Sequence, residues 1–253
     1  MSVKNATERF SSRVTDYVRY RPGYPPEVIA LLRSECGLIP EAVVADIASG
    51  TGILTRMLLD NGNRVFGVEP NPDMRSAGEQ FLSAYSKFAS VPGAAESTTL
   101  PAHSVDIVTA AQAAHWFDRD KARREFIRIL KPGGWTVLIW NERKTGGSAF
   151  LRDYEQLLLT YGTDYREVRH ERTTAEIAGF FAPSPFRAQT FAIEQDCDYT
   201  SLRGRLLSSC YTPQPGHPNY EPMLAELRRI FDAHHGNGRV SLEYDTRVFY
   251  GQL

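Results

Sequence analysis

Apolar and polar positions along the chain alternate between two rhythms, and the change of rhythm divides it. In the first half, short apolar runs (Val43–Ile47, Val65–Val68, Phe88–Val91, Val105–Ala111 and Trp135–Trp140) predict strands. Between them, apolar residues recur at helical spacing: Val28, Leu31 and Leu32; Leu54, Met57 and Leu58; Phe126, Ile127 and Leu130. Strands alternating with helices predict a parallel, doubly wound α/β sheet. Lys131-Pro132-Gly133-Gly134 reads as a sharp helix stop ahead of the fifth strand.

Beyond Asn141 the pattern changes. Phe150, Leu151, Tyr154, Leu157, Leu158 and Tyr161 predict an amphipathic helix, and Thr173-Thr174-Ala175-Glu176 has capping-box spacing before Ile177, Phe180 and Phe181. Further helices are expected near Ser201–Ser209 and Pro222–His234. Phe186–Ile193 and Val240–Tyr250 read as closing strands, the second alternating from Val240 to Tyr250. The division that follows is one domain, 1–253: an N-terminal lid arm (1–25), a ligand-binding core (26–141), helical caps (142–185 and 200–238) and closing strands (186–196 and 239–251). The arm mixes Phe10, Tyr17, Tyr20 and Tyr24 with a proline-stiffened string, Arg19-Tyr20-Arg21-Pro22-Gly23-Tyr24-Pro25, suited to covering a site or packing on the outside.

Composition narrows the classes. With 253 residues, 42% of them hydrophobic, the chain can bury a large core. A net charge of −1 gives no basic surplus for a nucleic acid or an anionic membrane. No run approaches the roughly 18 apolar residues of a membrane span, and the first residues lack a signal-peptide core. Three cysteines, Cys36, Cys197 and Cys210, have no metal-binding spacing, so a reducing cytoplasmic setting and no metal are expected.

The chemistry concentrates where the first strand ends. Asp46 closes that strand, and the small residues Ala48-Ser49-Gly50-Thr51-Gly52 lead into a helix; such loops bring backbone N–H groups close to a ligand. Glu69 ends the second strand 17 residues past Gly52, where nucleotide-binding α/β folds place a carboxylate against ribose hydroxyls. A nicotinamide dinucleotide would want a small residue at position 55, and Thr55 fits that poorly.

In order and spacing, Asp46-Ile47-Ala48-Ser49-Gly50-Thr51-Gly52, Val68-Glu69-Pro70 with Met74, Ala95-Glu96, Ala114-His115-Trp116-Phe117-Asp118 and Leu130-Lys131-Pro132-Gly133-Gly134 resemble the class I S-adenosylmethionine-dependent methyltransferases of the type 11 family. The resemblance is loosely to trans-aconitate methyltransferases. It implies a Rossmann-like seven-stranded sheet, mostly parallel with an antiparallel last strand and cap insertions after strands five and six. S-adenosylmethionine is the implied cofactor. Ala48, Ser49, Gly50 and Gly52 would line its methionine portion, with Asp46 toward its ammonium; Glu69, followed by Pro70, would hold the ribose; Met74, Ala95 and Glu96 would meet the adenine. Ala111 and Gln112 would pass beneath the sulfonium. The family usually carries glycine where Ala48 stands.

The implied partner is a small-molecule methyl acceptor, taken by a monomer or homodimer without nucleic acid or membrane. Tyr17, Tyr20, Arg21, Tyr24, Trp116 and Asn141 are the candidate substrate and lid residues. Methyl transfer from a sulfonium needs chiefly a desolvated, aligned nucleophile. His115 is the candidate base where the acceptor must lose a proton, its alternative being a histidine of the pocket wall. His103, His217, His234 and His235 read as solvated, and Arg19, Arg21 and Arg143 lie near the expected mouth, either as surface charges or to attract an acidic substrate. Two other readings stay open: a nicotinamide oxidoreductase and a non-catalytic S-adenosylmethionine-binding module.

Overall fold

In the computed structural model of the chain, residues 13–168 and 173–253 are described, so Phe10 and the start of the arm lie outside them, as do the capping side chains of Thr173 and Glu176. The elements in order are α1 (Val14–Tyr20), α2 (Glu27–Glu35), β1 (Val43–Ile47), α3 (Ile53–Asp60), β2 (Arg64–Val68), α4 (Pro72–Phe81), β3 (Phe88–Val91), β4 (Val105–Ala111), α5 (Arg119–Ile129) and β5 (Leu130–Arg143). There follow α6 (Ala149–Tyr161), α7 (Tyr165–Val168), α8 (Thr173–Phe181), β6 (Phe186–Cys197), α9 (Tyr199–Leu207), α10 (Tyr220–His234) and β7 (Val240–Gly251).

The seven strands form one sheet in the order β3-β2-β1-β4-β5-β7-β6. β1 to β5 pair in parallel, and β7 runs antiparallel to both β5 and β6. The chain winds outward from β1 to β3, then crosses back to β4, so the order reverses between β1 and β4. In open α/β sheets ligands gather beyond the carboxyl ends of the strands at such a reversal. Asp46, Glu69, Ala111 and Asn141 all sit at or near those ends.

Alternate side chains of the inner strands serve opposite faces, as strand geometry requires. Ala45, Ile47, Val108, Ala110, Leu138 and Trp140 join one core with Phe126; Val44, Ile107, Val137 and Ile139 join the other with Leu32 and Leu58. The cap has a third core, in which α6, α9 and α10 enclose Leu242 and Tyr244 of β7. Within the expected cap insertion, α8 differs: Ile177, Phe180 and Phe181 pack on the sheet with Phe126.

α5 ends at Ile129, just ahead of Lys131–Gly134, as the helix-stop reading expects, but the strand starts at Leu130 rather than Trp135. α5 passes directly into β5, and the string is a bulge inside that strand, between the pairs Val105↔Leu130 and Ile107↔Trp135. Lys131 Nζ lies 2.9 Å from both Asp106 carboxylate oxygens. A side chain at position 134 would stand 2.8 Å from the Asp106 carbonyl oxygen.

The arm is fastened at several points. Tyr20 lies flat on Gly204 of α9, where a Cβ would come within 2.1 Å of its ring. Gln195 donates to the Tyr20 carbonyl at 2.8 Å, and Asn141 Nδ2 donates to the Gly23 carbonyl at 2.9 Å. Arg13 donates to the carbonyls of Leu207, Ser209 and Thr212. Among the described residues no helix is long and apolar enough to cross a membrane.

Candidate functional site

The loop after β1 is built on left-handed backbone. Ala48, Gly50 and Gly52 have φ of 53°, 57° and 88°. Glycine adopts that region freely, whereas Ala48 does so at a cost of about 1–2 kcal/mol. Ser49 N–H donates to the Val68 carbonyl at 3.1 Å, fastening the loop to β2. α3 starts at Gly52 without a side-chain cap, and the Thr55 amide in its first turn meets the Asp46 carboxylate instead.

Asp46 points inward. Its side chain is 1% exposed, and its oxygens accept the hydroxyls of Thr55 at 2.6 Å and Thr109 at 2.8 Å. Burial pushes its carboxyl up from 3.8 to about 6, against the pull of these hydrogen bonds. These bonds lock β1 to α3 and β4 at the start of the loop. Thr55, a misfit for a dinucleotide, is thus a buried strand-to-helix fastener.

Glu69 joins the two loops. It is 7% exposed, accepts the Gly50 amide on Oε2 and the Asn71 amide on Oε1, each at 2.9 Å, and its carboxyl is raised chiefly by burial. Asn71 then caps α4 through the amides of Asp73 and Met74, with Pro72 in the first turn. Met74 is buried with its methyl 3.3 Å from where a Gly50 side chain would begin. Glu96 accepts the Asp118 amide at 2.7 Å, and Ala95 is buried beside it. These residues therefore form one continuous rim along the ends of β1, β2 and β3. A carboxylate has about four acceptor positions, so Glu69 retains capacity for outside hydroxyls while holding both amides.

Next to this rim lies a cavity of about 510 Å³. It gathers Tyr17, Arg21 and Tyr24 from the arm, Gln112, His115, Trp116 and Asn141 from the ends of β4 and β5, and Arg143, Tyr165, Arg205, Tyr211, Tyr244 and Arg247 from the cap side. Tyr20 does not line it, being committed to Gly204. Nor do Ala48, Ser49, Glu69, Pro70, Met74, Ala95, Glu96 and Ala111, which belong to the rim. Gln112, at φ 58°, donates to the Asn141 carbonyl at 3.3 Å, while Asn141 accepts the Thr246 hydroxyl at 2.6 Å. The His115 and Trp116 rings stand 4.6 Å apart on a short 3-10 turn, Ala114–Trp116.

Arg143 is no surface charge. Its side chain is 8% exposed and pairs with Glu155, and the Tyr165 hydroxyl bonds both. His234, also read as solvated, bonds Asp153 at 2.7 Å. Arg205 and Arg247 escaped sequence reasoning because helix and strand periodicity mark Leu202 and Leu206 or Thr246 and Val248, not the charged residues between them; that alternation marks Tyr244 only as a core position, and Tyr211 reads only as the start of a loop.

With this geometry in hand, comparison with known proteins is informative. The family model described as "Methyltransferase domain", of the type 11 family, matches residues 45–138, from the middle of β1 into β5. An uncharacterized methyltransferase of Mycobacterium tuberculosis is 40% identical over 136 residues, 53% of this chain and 52% of that one. The chain thus matches about half the length of these curated relatives. A proposed type II methyltransferase from Anaeromyxobacter dehalogenans superposes with a TM-score of 0.69 at 23% identity, covering 92% of this chain and 98% of its own. A phosphoethanolamine N-methyltransferase of Haemonchus contortus does so with a TM-score of 0.55 at 14% identity, covering 99% and 59%. This chain shares the fold of these two solved structures.

Proposed function

We propose that the chain is a class I methyltransferase of the type 11 family and that it transfers the methyl group of S-adenosylmethionine to a small molecule held in the cavity. The observation that carries this reading is Glu69, a buried carboxylate fixed by the Gly50 and Asn71 amides at the mouths of two adjacent strands. That is the position from which an acidic side chain meets ribose hydroxyls. The structurally similar Haemonchus contortus enzyme was solved with S-adenosylhomocysteine, which supports the same cofactor here.

The loop Ala48–Gly52 lines the methionine portion, and Asp46 sets the start of that loop through Thr55 and Thr109. Glu69 takes the ribose, beside Pro70. Met74, Ala95 and Glu96 border the adenine, and Ala111 and Gln112 lie under the transfer point. The cofactor supplies an already activated methyl group. The chain's own residues orient the acceptor and exclude water: Tyr17 and Tyr24 from the arm, Trp116 and Asn141 from the strand ends, with Arg21 beside them. His115, on the same wall, takes a proton when the acceptor is a hydroxyl or amine, and a carboxylate acceptor needs no base. The buried thiols of Cys36 and Cys197 suit the cytoplasmic setting that belongs to this reading.

Cell extracts incubated with radiolabelled S-adenosylmethionine, followed by mass spectrometry, test the reading. It predicts a labelled small molecule, and less label with His115→Gln when that product is an ether or amine. Label confined to nucleic acid would refute it.

A further inference from the structure

The cations around the cavity are not equivalent. Arg143 pairs with Glu155, Arg247 with Glu142 at 3.0 Å, and Lys144 with Glu243 and Asp245 at 3.6 and 3.7 Å. Arg205 lacks such a partner. It is 6% exposed, yet its bonds run to the Tyr244 hydroxyl at 3.0 Å and the Ser209 hydroxyl at 2.9 Å, both uncharged. Arg21, half-buried, donates to the Ser208 carbonyl at 2.9 Å and stacks over Tyr17, while its Nε is buried without a hydrogen-bond partner. Among the described residues no carboxylate lies within 4.0 Å of either guanidinium.

Of the guanidinia that meet the turn Ser208–Ser209, Arg21 from the arm and Arg205 from α9 face the cavity, whereas Arg13, spent on the carbonyls of Leu207, Ser209 and Thr212, does not line it. Arginine cannot shed its charge, and a buried cation without a counter-charge is costly. Its planar fork matches an oxyanion in two-point contact. We propose that Arg21 and Arg205 form an oxyanion-binding subsite on the cap side of the cavity, so that the molecule held there carries a carboxylate or phosphate group. An oxyanion bound there bridges arm and cap over the cavity, with the rest of the ligand extending toward Gln112, His115 and Trp116. The inference rests on reading this cavity as the acceptor chamber, but the anion site itself can be tested without methyl transfer.

The test is calorimetry of the full chain with succinate and, separately, inorganic phosphate, at ionic strength fixed with potassium chloride, with and without S-adenosylhomocysteine. One of the two anions is expected to bind saturably below about 10 mM. Arg21→Gln and Arg205→Gln should each weaken it at least about tenfold, whereas the exposed Arg119→Gln should not. Preference for succinate or for phosphate assigns the class of oxyanion. Should Arg205→Gln fail to fold, Arg21→Gln decides alone. Absence of saturable binding by either anion, or binding unchanged in the Arg21 variant, overturns the subsite. S-adenosylhomocysteine binding separates the two claims: retained without anion binding, it leaves the cofactor reading standing and sinks the subsite; lost with anion binding intact, it does the reverse.

Discussion

Asp46→Asn perturbs the centre of the site with a calculable effect. The wild-type carboxyl is buried between Thr55 and Thr109 and raised from 3.8 to about 6, mainly because burial disfavours its charged form. At about 1.4 kcal/mol per pH unit, that difference corresponds to about 3 kcal/mol. The sign follows from proton counts. Between about pH 4 and pH 6 the folded protein keeps a proton that the unfolded chain has released, so wild-type stability falls as pH rises through that window and levels off above it. Asparagine cannot titrate, and its amide still meets both threonine hydroxyls, accepting one and donating to the other after that hydroxyl turns. Glu69 feels the charge of Asp46, so its own raised carboxyl relaxes in the variant and adds to the difference. Urea unfolding at pH 4, 5, 6 and 7 should show the variant gaining about 2–2.5 kcal/mol on wild type from the lowest to the highest pH, the remainder lying below pH 4. A difference that stays constant across the series would refute the assignment of Asp46 as a buried, burial-shifted carboxyl.

Three other outcomes follow from the same structure. Ala48→Gly should raise stability by up to about 1 kcal/mol in thermal or urea unfolding, because the left-handed φ of 53° is strained for alanine and the added glycine entropy offsets only part of the gain. Gly204→Ala should cost about 1–3 kcal/mol and loosen the arm, since a Cβ would stand 2.1 Å from the Tyr20 ring; faster proteolysis between α1 and α2 would show it. Glu69→Ala should weaken S-adenosylhomocysteine binding by about 1.5–3 kcal/mol in calorimetry and also lower stability, because the Gly50 and Asn71 amides lose their acceptor.

What could be read from the sequence was what periodicity and backbone requirements encode. The parallel strands were visible because both their faces are buried, which leaves short continuous apolar runs. The ligand loop was visible because only small residues tolerate its left-handed turns, with Ala48 the strained member. Lys131–Gly134 marked the helix end but not the bulge that follows, whose cause, the approach of the Asp106 carbonyl from β4, is a contact between strands. Arg143 misled for a related reason: nothing local announces that Glu155 will enclose it, just as nothing local announces that Thr109 will meet Asp46. The cap wall was least legible: Arg205 and Tyr244 lie 39 positions apart and meet through tertiary folding alone.

The central claim, an adenosyl cofactor seated on Glu69 and the Ala48–Gly52 loop, is tested most directly by calorimetry with S-adenosylhomocysteine and with NADH on the same protein. The account predicts that S-adenosylhomocysteine binds at about micromolar strength, that Glu69→Ala weakens it, and that NADH gives no saturable heat. Binding of NADH without S-adenosylhomocysteine would contradict it.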